Sequence, residues 1–539
     1  MLRWLRRREA AMDPGETPVD TAFDDANRLF ASGNAEAAIP LYRLALDRAP
    51  NDLATLLNLA QAYRSTARLR DAIDVCRRAI DAAPLDPRPA ALLARTLTDA
   101  HADQEALVLF RSVLDATPDD AGLWSDYGRL LHQMRRDAEA IDAQRRALSI
   151  DPDHAAALNN LGLSLLELHR LEEAEACLLR AVTIPSVAAA AQANLANLRA
   201  AQNRVEEAID LADRAIAAGL ETPQVRFSRG LALLAAGRMT EGFADCEHRL
   251  QTPAYAGMTR NRPGVLWNGE SLQGRSILLW HEQGHGDTLQ FVRYVGDLLA
   301  MHATVRLETQ KPLVRLLQAN LEVDVQATGS VWKSSADFHL PLMSLPHRLG
   351  ATAWTTPWRG AYLRRPAMDP LPWPAVPRGL KVGLVWAGNP THRNDANRSI
   401  PPALLKPLLS VPDVTFVPLQ FDVEGNPAAV PTPSARWADL RSSVRDFADL
   451  AALLEQLDLL ITVDTAAAHL SGALAKPTWV LLPFAPDWRW QLDRTDTGWY
   501  PSMTLWRQRD PGDWTPVIAA VTNQLDALAR RTATESTQC

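Results

Sequence analysis

Cysteine is scarce in this chain of 539 residues. There are four, at Cys76, Cys177, Cys246 and Cys539, and no two of them form a CxxC pair. A disulfide framework and a cysteine-based zinc site are therefore both excluded as organising features. Because such a chain needs no oxidising compartment, we expect a cytoplasmic protein.

Long apolar runs are also absent. No stretch approaches the roughly 18 apolar residues that a membrane-spanning helix needs, so we expect no transmembrane segment. The first 18 residues carry four arginines around Leu2, Trp4 and Leu5, but no apolar segment follows them as in a signal peptide. We predict that residues 1–18 form a basic tail, with contact to a membrane surface as the alternative.

The chain has no excess of positive charge. It contains 56 Lys and Arg against 63 Asp and Glu, which gives a net charge of -7. Without a basic balance, a nucleic-acid partner is not indicated. The chain is also too long for one ordinary domain.

Tryptophan is nearly missing from the first half. Only Trp4 and Trp124 precede Trp267, whereas the remaining 14 of 16 tryptophans lie between Trp267 and Trp514. The first half is instead rich in Ala, Leu and Arg, which favour helices. Two architectures are therefore expected to join near residue 250.

The first half is an internal repeat with a period of 34 residues. One series of small residues is Ala38, Ala72, Ala106, Ala140, Ala174, Ala208 and Gly242. A second is Ala45, Ala79, Val113, Ala147, Ala181 and Ala215, and a third is Pro50, Pro84, Pro118 and Pro152, with Pro185 one residue early. This is the period of the tetratricopeptide repeat (TPR), which has two antiparallel helices per unit.

The repeated residue types fit an all-α TPR solenoid. The small residue lets the two helices of a unit approach closely, and the proline ends the second helix. Gly128 and Gly162 also suit close helix packing. We predict six repeats over 19–220 and an atypical capping unit over 223–250, so that TPR repeats span 19–250. The concave groove of such an array favours docking of a protein or peptide; a spacer or a self-association element is the alternative.

The second half alternates strands and helices. Residues 276–280 and 304–308 predict buried parallel strands around the loop 281–287 and an amphipathic helix over 288–301. This is a Rossmann-like βαβ unit, although its loop is not GxGxxG. Further strands are predicted at 380–386, 414–417, 457–463 and 478–482. A linker is indicated by Pro366, Pro370, Pro372, Pro374 and Pro377. The fold class is thus a TPR solenoid followed by two α/β lobes, at 265–370 and 379–530.

Three segments of the second half resemble a known group of enzymes. They are ITVDTAAAHLSGALAKPTWVLLPFAPDWRW at 461–490, HEQGHGDTLQFVRYV at 281–295 and VGLVWAGNPTHRNDANRSIP at 382–401. Together they resemble TPR-linked glycosyltransferases whose catalytic part is similar to the heptosyltransferases of glycosyltransferase family 9. The resemblance implies a GT-B fold, with two Rossmann-like lobes facing a cleft and the donor nucleotide mainly on the C-terminal lobe. The N-terminal lobe is short for the family, so we expect its acceptor surface to be either reduced or supplied by the TPR array.

The predicted helix after Asp464 is a candidate phosphate site. A helix N-terminus offers unpaired N–H groups and a positive dipole end, and the alanines at 466–468 leave room there. Thr465 and His469 are four residues apart and share a helix face. The alternative is structural, with Asp464 as an N-cap and His469 packed or facing solvent. The resemblance implies contact with the donor diphosphate. Because Asp464 would repel phosphate, we assign it capping or a contact with the ribose.

Asp287 is the candidate catalytic residue. It follows a parallel strand at the edge where ligands bind in α/β sheets. Transfer of a sugar to a hydroxyl needs a base to remove the proton, and the resemblance implies that the Asp of the Gly286–Asp287 pair has this role. Gly286 and Thr288 are expected beside the donor. The alternatives are a helix N-cap and a metal site made with His281 and His285.

The remaining candidates are cationic or aromatic. His392, Arg393 and Arg398 could form a clamp for the departing nucleoside diphosphate, with surface charge as the alternative. Trp488 and Trp490 are possible stacking residues for a base or sugar, and core packing is favoured for at least one of them. The second half contains no Asp-x-Asp, the one such pair being Asp151–Asp153 in a repeat turn. We therefore expect transfer without a metal and without a cofactor other than the nucleotide-sugar co-substrate.

The sequence therefore predicts an inverting, metal-independent glycosyltransferase that acts on a protein or glycan acceptor docked by the repeats. One alternative is protein glycosylation by an enzyme similar to the O-linked N-acetylglucosamine transferases, which also join TPRs to GT-B lobes. Another is a non-catalytic TPR scaffold with a degenerate transferase domain. Binding of a nucleoside diphosphate would separate both enzymes from the scaffold.

Overall fold

A computed structural model describes residues 21–259, 262–331, 335–351, 360–367, 373–374, 379–392, 394–422, 424–431 and 436–538. The predicted tail at 1–18, Arg393, Cys539 and several prolines of the predicted linker lie outside them. The chain divides into two compact units, 1–195 and 196–539. Within the described residues, no helix combines the length and apolar character needed to cross a membrane.

The first part of the chain is a succession of helices. In chain order they are α1 (Ala22–Ala31), α2 (Ala35–Arg48), α3 (Leu53–Ser65), α4 (Leu69–Ala82), α5 (Pro87–Asp99), α6 (Asp103–Ala116), α7 (Ala121–Gln133), α8 (Asp137–Ile150), α9 (Ala155–Glu167), α10 (Leu171–Val182), α11 (Ala188–Ala201), α12 (Val205–Ala217), α13 (Pro223–Ala235) and α14 (Met239–Cys246). The helical TPR solenoid predicted from the 34-residue period is confirmed.

The repeated residues have the predicted packing roles. Ala38, Ala72, Ala106, Ala140 and Ala174 are fully buried. A Cβ added to Gly128 would lie 2.4 Å from the Gln144 side chain, and one added to Gly162 would lie 2.6 Å from Leu178. Second helices end two residues before the repeated proline, as α2 does before Pro50. The small residues therefore set the distance between the paired helices.

Two further features recur at the helix ends. Asp52, Asp86, Asp120 and His154 cap the first helices of successive units, and each accepts a hydrogen bond from a backbone N–H of the first turn. The turns between paired helices each contain a residue with positive φ. These residues are Gly33, Ala67, His101, Arg135, His169, Asn203 and Gly237.

The second unit contains two five-stranded parallel sheets. The first sheet has the order β1-β5-β2-β3-β4, with β1 (Val265–Leu266), β2 (Ser276–Trp280), β3 (Thr304–Thr309), β4 (Asp324–Ala327) and β5 (Phe338–Pro341). The second has the order β10-β9-β8-β6-β7, with β6 (Leu380–Val385), β7 (Val414–Pro418), β8 (Leu459–Val463), β9 (Thr478–Leu482) and β10 (Met503–Arg507). The predicted strands are confirmed with small shifts of their ends, and this part of the chain is α/β.

Helices connect and cover the strands. They are α15 (Pro253–Thr259), α16 (His285–Phe291), α17 (Val295–Ala300), α18 (Val314–Gln318), α19 (Leu345–Arg348), α20 (Asp395–Arg398), α21 (Lys406–Leu409), α22 (Phe447–Glu455), α23 (Ala466–Ala473) and α24 (Thr515–Gln538). The prediction of one continuous helix over 288–301 is wrong, because a 3-10 turn at Val292–Tyr294 separates α16 from α17. The buried Arg293 guanidinium donates to the Gln290 carbonyl at 2.8 Å, the acceptor that a continued helix would use.

One hydrophobic core joins three parts of the second unit. It contains Met239 and Phe243 of α14, residues of the first sheet such as Leu279, and residues of the second sheet such as Leu482. A second core lies on the other face of the second sheet, under α24. The last helical hairpin, α13 with α14, is therefore part of the same compact unit as the two sheets.

Candidate functional site

Loops from both sheets meet at the start of two helices. The β2 strand leads into α16, and β8, at the centre of the second sheet, leads into α23. A Cβ on Gly286 would lie 2.7 Å from His469 Cδ2 and 3.6 Å from Ala466 Cα. Only glycine fits at position 286 without moving the His469 ring. The two segments singled out in the sequence are therefore in direct contact, and the small residue at 286 makes the contact possible.

Asp287 lies in the first turn of α16, two residues after its first residue. The N-cap position is Gly284, so the N-cap alternative for Asp287 does not describe it. Its Oδ1 accepts a hydrogen bond from Arg489 Nη2 at 2.5 Å. Burial raises the pKa of Asp287, Arg489 opposes this rise, and Asp487 adds to it. The carboxyl thus lies in a setting that moves its pKa upward while a cation favours the charged form.

Arg489 is a residue of this site that the sequence patterns did not indicate. It follows β9, and its guanidinium bonds Asp487 Oδ1 at 2.9 Å as well as Asp287 and the Gln290 side chain. Its carbon Cζ lies 4.5 Å from the centroid of the Trp488 ring. The run DWRW drew attention for its aromatic rings, whereas the arginine between them makes the contact to the other sheet. An arginine enclosed by two tryptophans was the available signal.

The second sheet contributes residues from three neighbouring strands. Arg398 follows β6, Asp464 follows β8 and Arg489 follows β9. Arg398 Nη1 donates to the Asp464 carbonyl at 3.1 Å, and its Nε lies 3.2 Å from Asp395 Oδ1. Because parallel strands end at one edge of the sheet, these loops lie side by side at that edge.

Asp464 does not cap α23. The N-cap position belongs to Thr465, which makes no side-chain capping bond, so the capping role assigned to Asp464 is wrong. The Thr465 hydroxyl is instead 3.1 Å from the Thr462 hydroxyl. Burial and the nearby Asp487 raise the pKa of Asp464 to about 6, while the Trp490 indole, Arg398 and Arg489 act in the opposite direction.

His469 is packed inside the protein. Its ring stacks on Trp490 with 5.5 Å between centroids, and its Nδ1 lies 2.9 Å from the Tyr500 hydroxyl. Burial lowers the pKa of His469 well below the usual value, and Arg489 and Arg293 add to this effect. The imidazole is therefore neutral and positioned by aromatic neighbours, which corresponds to the packed alternative. Its donor-binding role stays a prediction.

Trp488 and Trp490 are also core residues. They are 6% and 1% exposed. Trp488 packs edge-on against Phe243, with 5.7 Å between centroids, and against Trp499 at 5.9 Å. Core packing, expected for at least one of the two indoles, therefore describes both, and stacking on a base or sugar stays a prediction. Thr288 is buried too, and its hydroxyl donates at 2.9 Å to Oε1 of Gln310, the residue that follows β3.

The three residues of the metal alternative have separate partners. His281 Nε2 is 2.6 Å from the Thr328 hydroxyl, the His285 ring lies 5.1 Å from that of Phe447, and Asp287 pairs with Arg489. Across the described part of the chain, no group of three or more His, Cys, Asp or Glu side chains is arranged to hold a metal ion. His392, which precedes Arg393, has its pKa lowered by burial, with Arg398 adding to that effect.

Comparison with known proteins identifies the repeats. Models of the tetratricopeptide repeat match residues 29–96, 104–155, 143–176 and 193–247. Tetratricopeptide repeats are thus present across the N-terminal region, and such domains bind peptide or protein partners.

One curated protein is similar over a larger part of the chain. Protein FlbA of Caulobacter vibrioides (strain ATCC 19089 / CIP 103742 / CB 15) is 28% identical over 350 residues. The match covers 59% of this chain and 58% of FlbA, so it spans little more than half the length of that relative.

Solved TPR structures are similar to part of the chain. The crystal structure of MamA is 21% identical and covers 29% of this chain and 92% of that one, with a TM-score of 0.26. A TPR protein from Parabacteroides merdae ATCC 43184 is 15% identical and covers 45% of this chain and 94% of its own, with a TM-score of 0.37. YrrB, described as a TPR protein with an unusual peptide-binding site, is 21% identical over 30% of this chain and 84% of its own, with a TM-score of 0.25.

Proposed function

We propose that this protein is a glycosyltransferase with a GT-B arrangement of its two parallel sheets. It transfers a sugar from a nucleotide-sugar donor to a hydroxyl of a protein or glycan acceptor that the TPR array docks. The observation that carries the proposal is the contact between the Gly286–Asp287 turn of the first sheet and the start of α23 in the second. A proton acceptor and an anion-binding helix end therefore lie side by side at the facing edges of two parallel sheets.

Asp287 is the proposed general base. Burial moves its pKa up from the range of exposed carboxyls, and Arg489 keeps the ionised form accessible. A carboxylate that is ionised, and whose pKa burial has raised, accepts a proton from an acceptor hydroxyl as the oxygen attacks the anomeric carbon. Arg489 also fixes the direction of the carboxylate through its second contact with Asp487. We therefore assign Arg489 the positioning of the base.

The start of α23 and Arg398 form the proposed site of the donor diphosphate. The first backbone N–H groups of α23 have no partner within the helix, and the Thr465 side chain does not cap them. Arg398 lies beside this helix end through its bond to the Asp464 carbonyl. Charge that develops on the leaving diphosphate is stabilised by these N–H groups and by the guanidinium. In this scheme the protein itself supplies the cations, so transfer needs no divalent metal.

Titration with nucleoside diphosphates tests the donor site. We expect UDP, GDP, ADP or CDP to bind in isothermal titration calorimetry, with unchanged affinity in EDTA. Arg398→Gln should weaken the best of them by about 1–3 kcal/mol, the usual value of hydrogen bonds to charged groups. Arg445→Gln is the matched control, since its exposed guanidinium pairs with Asp449 on α22. Absence of binding by all four nucleotides would favour the scaffold, and equal binding by Arg398→Gln would place the diphosphate elsewhere.

A further inference from the structure

The last helical hairpin contacts both loops that carry the proposed catalytic residues. This terminal hairpin comprises α13, α14 and the 3-10 turn Glu247–Gln251. One contact is with the loop 281–284, which leads to Asp287, and the other is with the segment 484–491, which contains Arg489. All of these residues belong to the second compact unit.

The first contact is a buried ion pair. Arg249 donates through Nε and Nη2 to the two carboxylate oxygens of Glu282, both at 2.7 Å. The exposed fractions of the two side chains are 1% for Arg249 and 0% for Glu282. Arg249 also donates to Ser344 Oγ at 2.9 Å and to Glu247 Oε1 at 2.9 Å. The guanidinium therefore connects the hairpin to the loop five residues before Asp287.

The charges in this contact are balanced by residues of the hairpin and of α19. Glu247 accepts from the Ser344 hydroxyl at 2.6 Å and pairs with Arg348 at 3.1 Å. Two cations and two carboxylates are thus enclosed together. A lysine at 249 would keep the charge but lose the paired contact with both Glu282 oxygens, because its ammonium is a single point donor.

The second contact involves the DWRW segment. The Phe243 ring of α14 packs edge-on against Trp488, the residue before Arg489. The Asn203 side chain donates to the Phe484 carbonyl. Gly237 approaches the same segment so closely that an added Cβ would lie 3.2 Å from Gln491 Nε2. Two turns and one helix of the last two repeat units therefore meet this one segment.

We infer that the terminal hairpin positions both catalytic loops, with Arg249 as the positioning residue for the Asp287 loop and Phe243 for the Arg489 loop. This inference rests on the proposed glycosyltransferase function. Asp287 and Arg489 follow strands of different sheets. Their contact therefore depends on the positions of the two short loops that hold them. Both loops pack on the same hairpin, through Arg249 and Phe243, so the hairpin fixes their separation. The last repeat is then a structural part of the catalytic centre rather than only a cap.

Hydrogen–deuterium exchange of the full-length protein tests the inference without a requirement for activity. We expect Arg249→Lys to speed exchange in 281–288 by about tenfold or more, with little change in 484–491. Phe243→Leu should do the reverse. The control is Arg229→Lys, since the Arg229 guanidinium forms its ion pairs within the repeats, with Asp245 and Asp213. This control should leave both loops unchanged.

Kinetics of sugar transfer provide the second readout. Arg249→Lys and Phe243→Leu should lower kcat by roughly tenfold or more while the KM for the sugar nucleotide stays within about twofold, because the donor site itself is kept. Uniformly faster exchange throughout 196–538, or an equal effect of Arg229→Lys, would overturn the inference and show a role in global stability alone. Unchanged exchange in both loops would also overturn it. The predicted exchange pattern in a protein that transfers no sugar would support the positioning role and refute the glycosyltransferase function.

Discussion

At the residue scale, Asp464 has the clearest electrostatic consequence for stability. Its pKa is raised from 3.8 to about 6 in the folded protein, chiefly by burial. Between these values the folded state binds more protons than the unfolded state does. Stability is therefore greatest below about pH 4 with respect to this group, and its contribution is lost as the pH rises through about 6.

Asp464→Asn should remove this pH dependence. The neutral amide has no charge to desolvate, so we expect the variant to be more stable than the wild type at pH 8 by about 1–2 kcal/mol, and no more stable at pH 4. Urea unfolding followed by tryptophan fluorescence measures this, because 14 of the 16 tryptophans lie in the second half. Asp337→Asn should instead be less stable than the wild type at pH 8. Hydrogen bonds from Ser276 lower the pKa of Asp337 and so stabilise its charged form in the folded protein. Equal stability of Asp464→Asn and the wild type at pH 8 would show that burial of the charged Asp464 carboxylate does not destabilise the folded protein.

The sequence predicted the positions of some candidate residues well and those of others poorly. Asp287 and Gly286 were identified because a polar turn after a buried strand has a known place at the sheet edge. Asp464 was given the wrong local role, because the helix begins one residue later than the N-cap pattern suggests. Arg489 was missed because its partner, Asp287, is 202 residues away and in another sheet. A contact of that separation leaves no local signal.

At the element scale, the turns between paired helices end in a repeated backbone motif. At the end of α3, the Ala67 N–H donates to the Arg64 carbonyl at 3.1 Å and the Arg68 N–H donates to the Tyr63 carbonyl at 2.8 Å. This is a Schellman motif, and it requires the left-handed conformation at Ala67, where φ is 56°. Glycine occupies the equivalent place at Gly33 and Gly237.

Ala67→Gly should stabilise the repeat array. A left-handed conformation costs a residue with a Cβ about 1 kcal/mol, and glycine avoids this cost. We expect a gain in unfolding free energy of about 0.5–1 kcal/mol, measured by circular dichroism during urea unfolding. Ala176→Gly, at an exposed interior position of α10, should instead lose about 1 kcal/mol. A loss of stability in both variants would mean that the turn gains nothing from glycine.

Periodicity explains why the helices were predictable and their turns were not. The buried alanines can be recognised in the sequence at intervals of 34 residues, because only small residues fit between paired helices. The left-handed turn residues have the same interval, but their identities are Gly, Ala, His, Arg or Asn. The left-handed backbone conformation repeats while the residue type varies, so no sequence motif identifies these turns. The break between α16 and α17 was hidden for a related reason, since it depends on one side-chain bond of Arg293.

At the scale of the whole molecule, the chain joins a repeat array to an α/β unit of two parallel sheets. The 34-residue period and the change in composition predicted this plan. The composition does not reveal that the last repeats belong to the compact unit at 196–539. That association depends on Phe243 and Met239, which share a core with both sheets, and on the ion pair of Arg249.

The most direct test of the account is the rate of sugar transfer by three forms of the protein. The nucleotide sugars of the nucleoside diphosphate that binds most tightly are supplied in turn with a radiolabelled sugar, and label is counted in the protein and the glycan of a lysate that lacks this chain. The forms are the wild type, Asp287→Asn and a variant without repeats one to four, residues 19–152. Asp324→Asn, an exposed carboxylate on β4, is the control.

We expect Asp287→Asn to transfer label about 10²–10⁴ times more slowly than the wild type, with unchanged nucleotide affinity. The truncated variant should bind nucleotide normally but label its acceptor poorly, because repeat units contact only their neighbours and the second unit keeps its core. Asp324→Asn should match the wild type. Transfer at the normal rate by Asp287→Asn would contradict the assignment of the base, and normal labelling by the truncated variant would contradict docking by the repeats. Absence of labelling by the wild type with every nucleotide sugar would contradict the central claim.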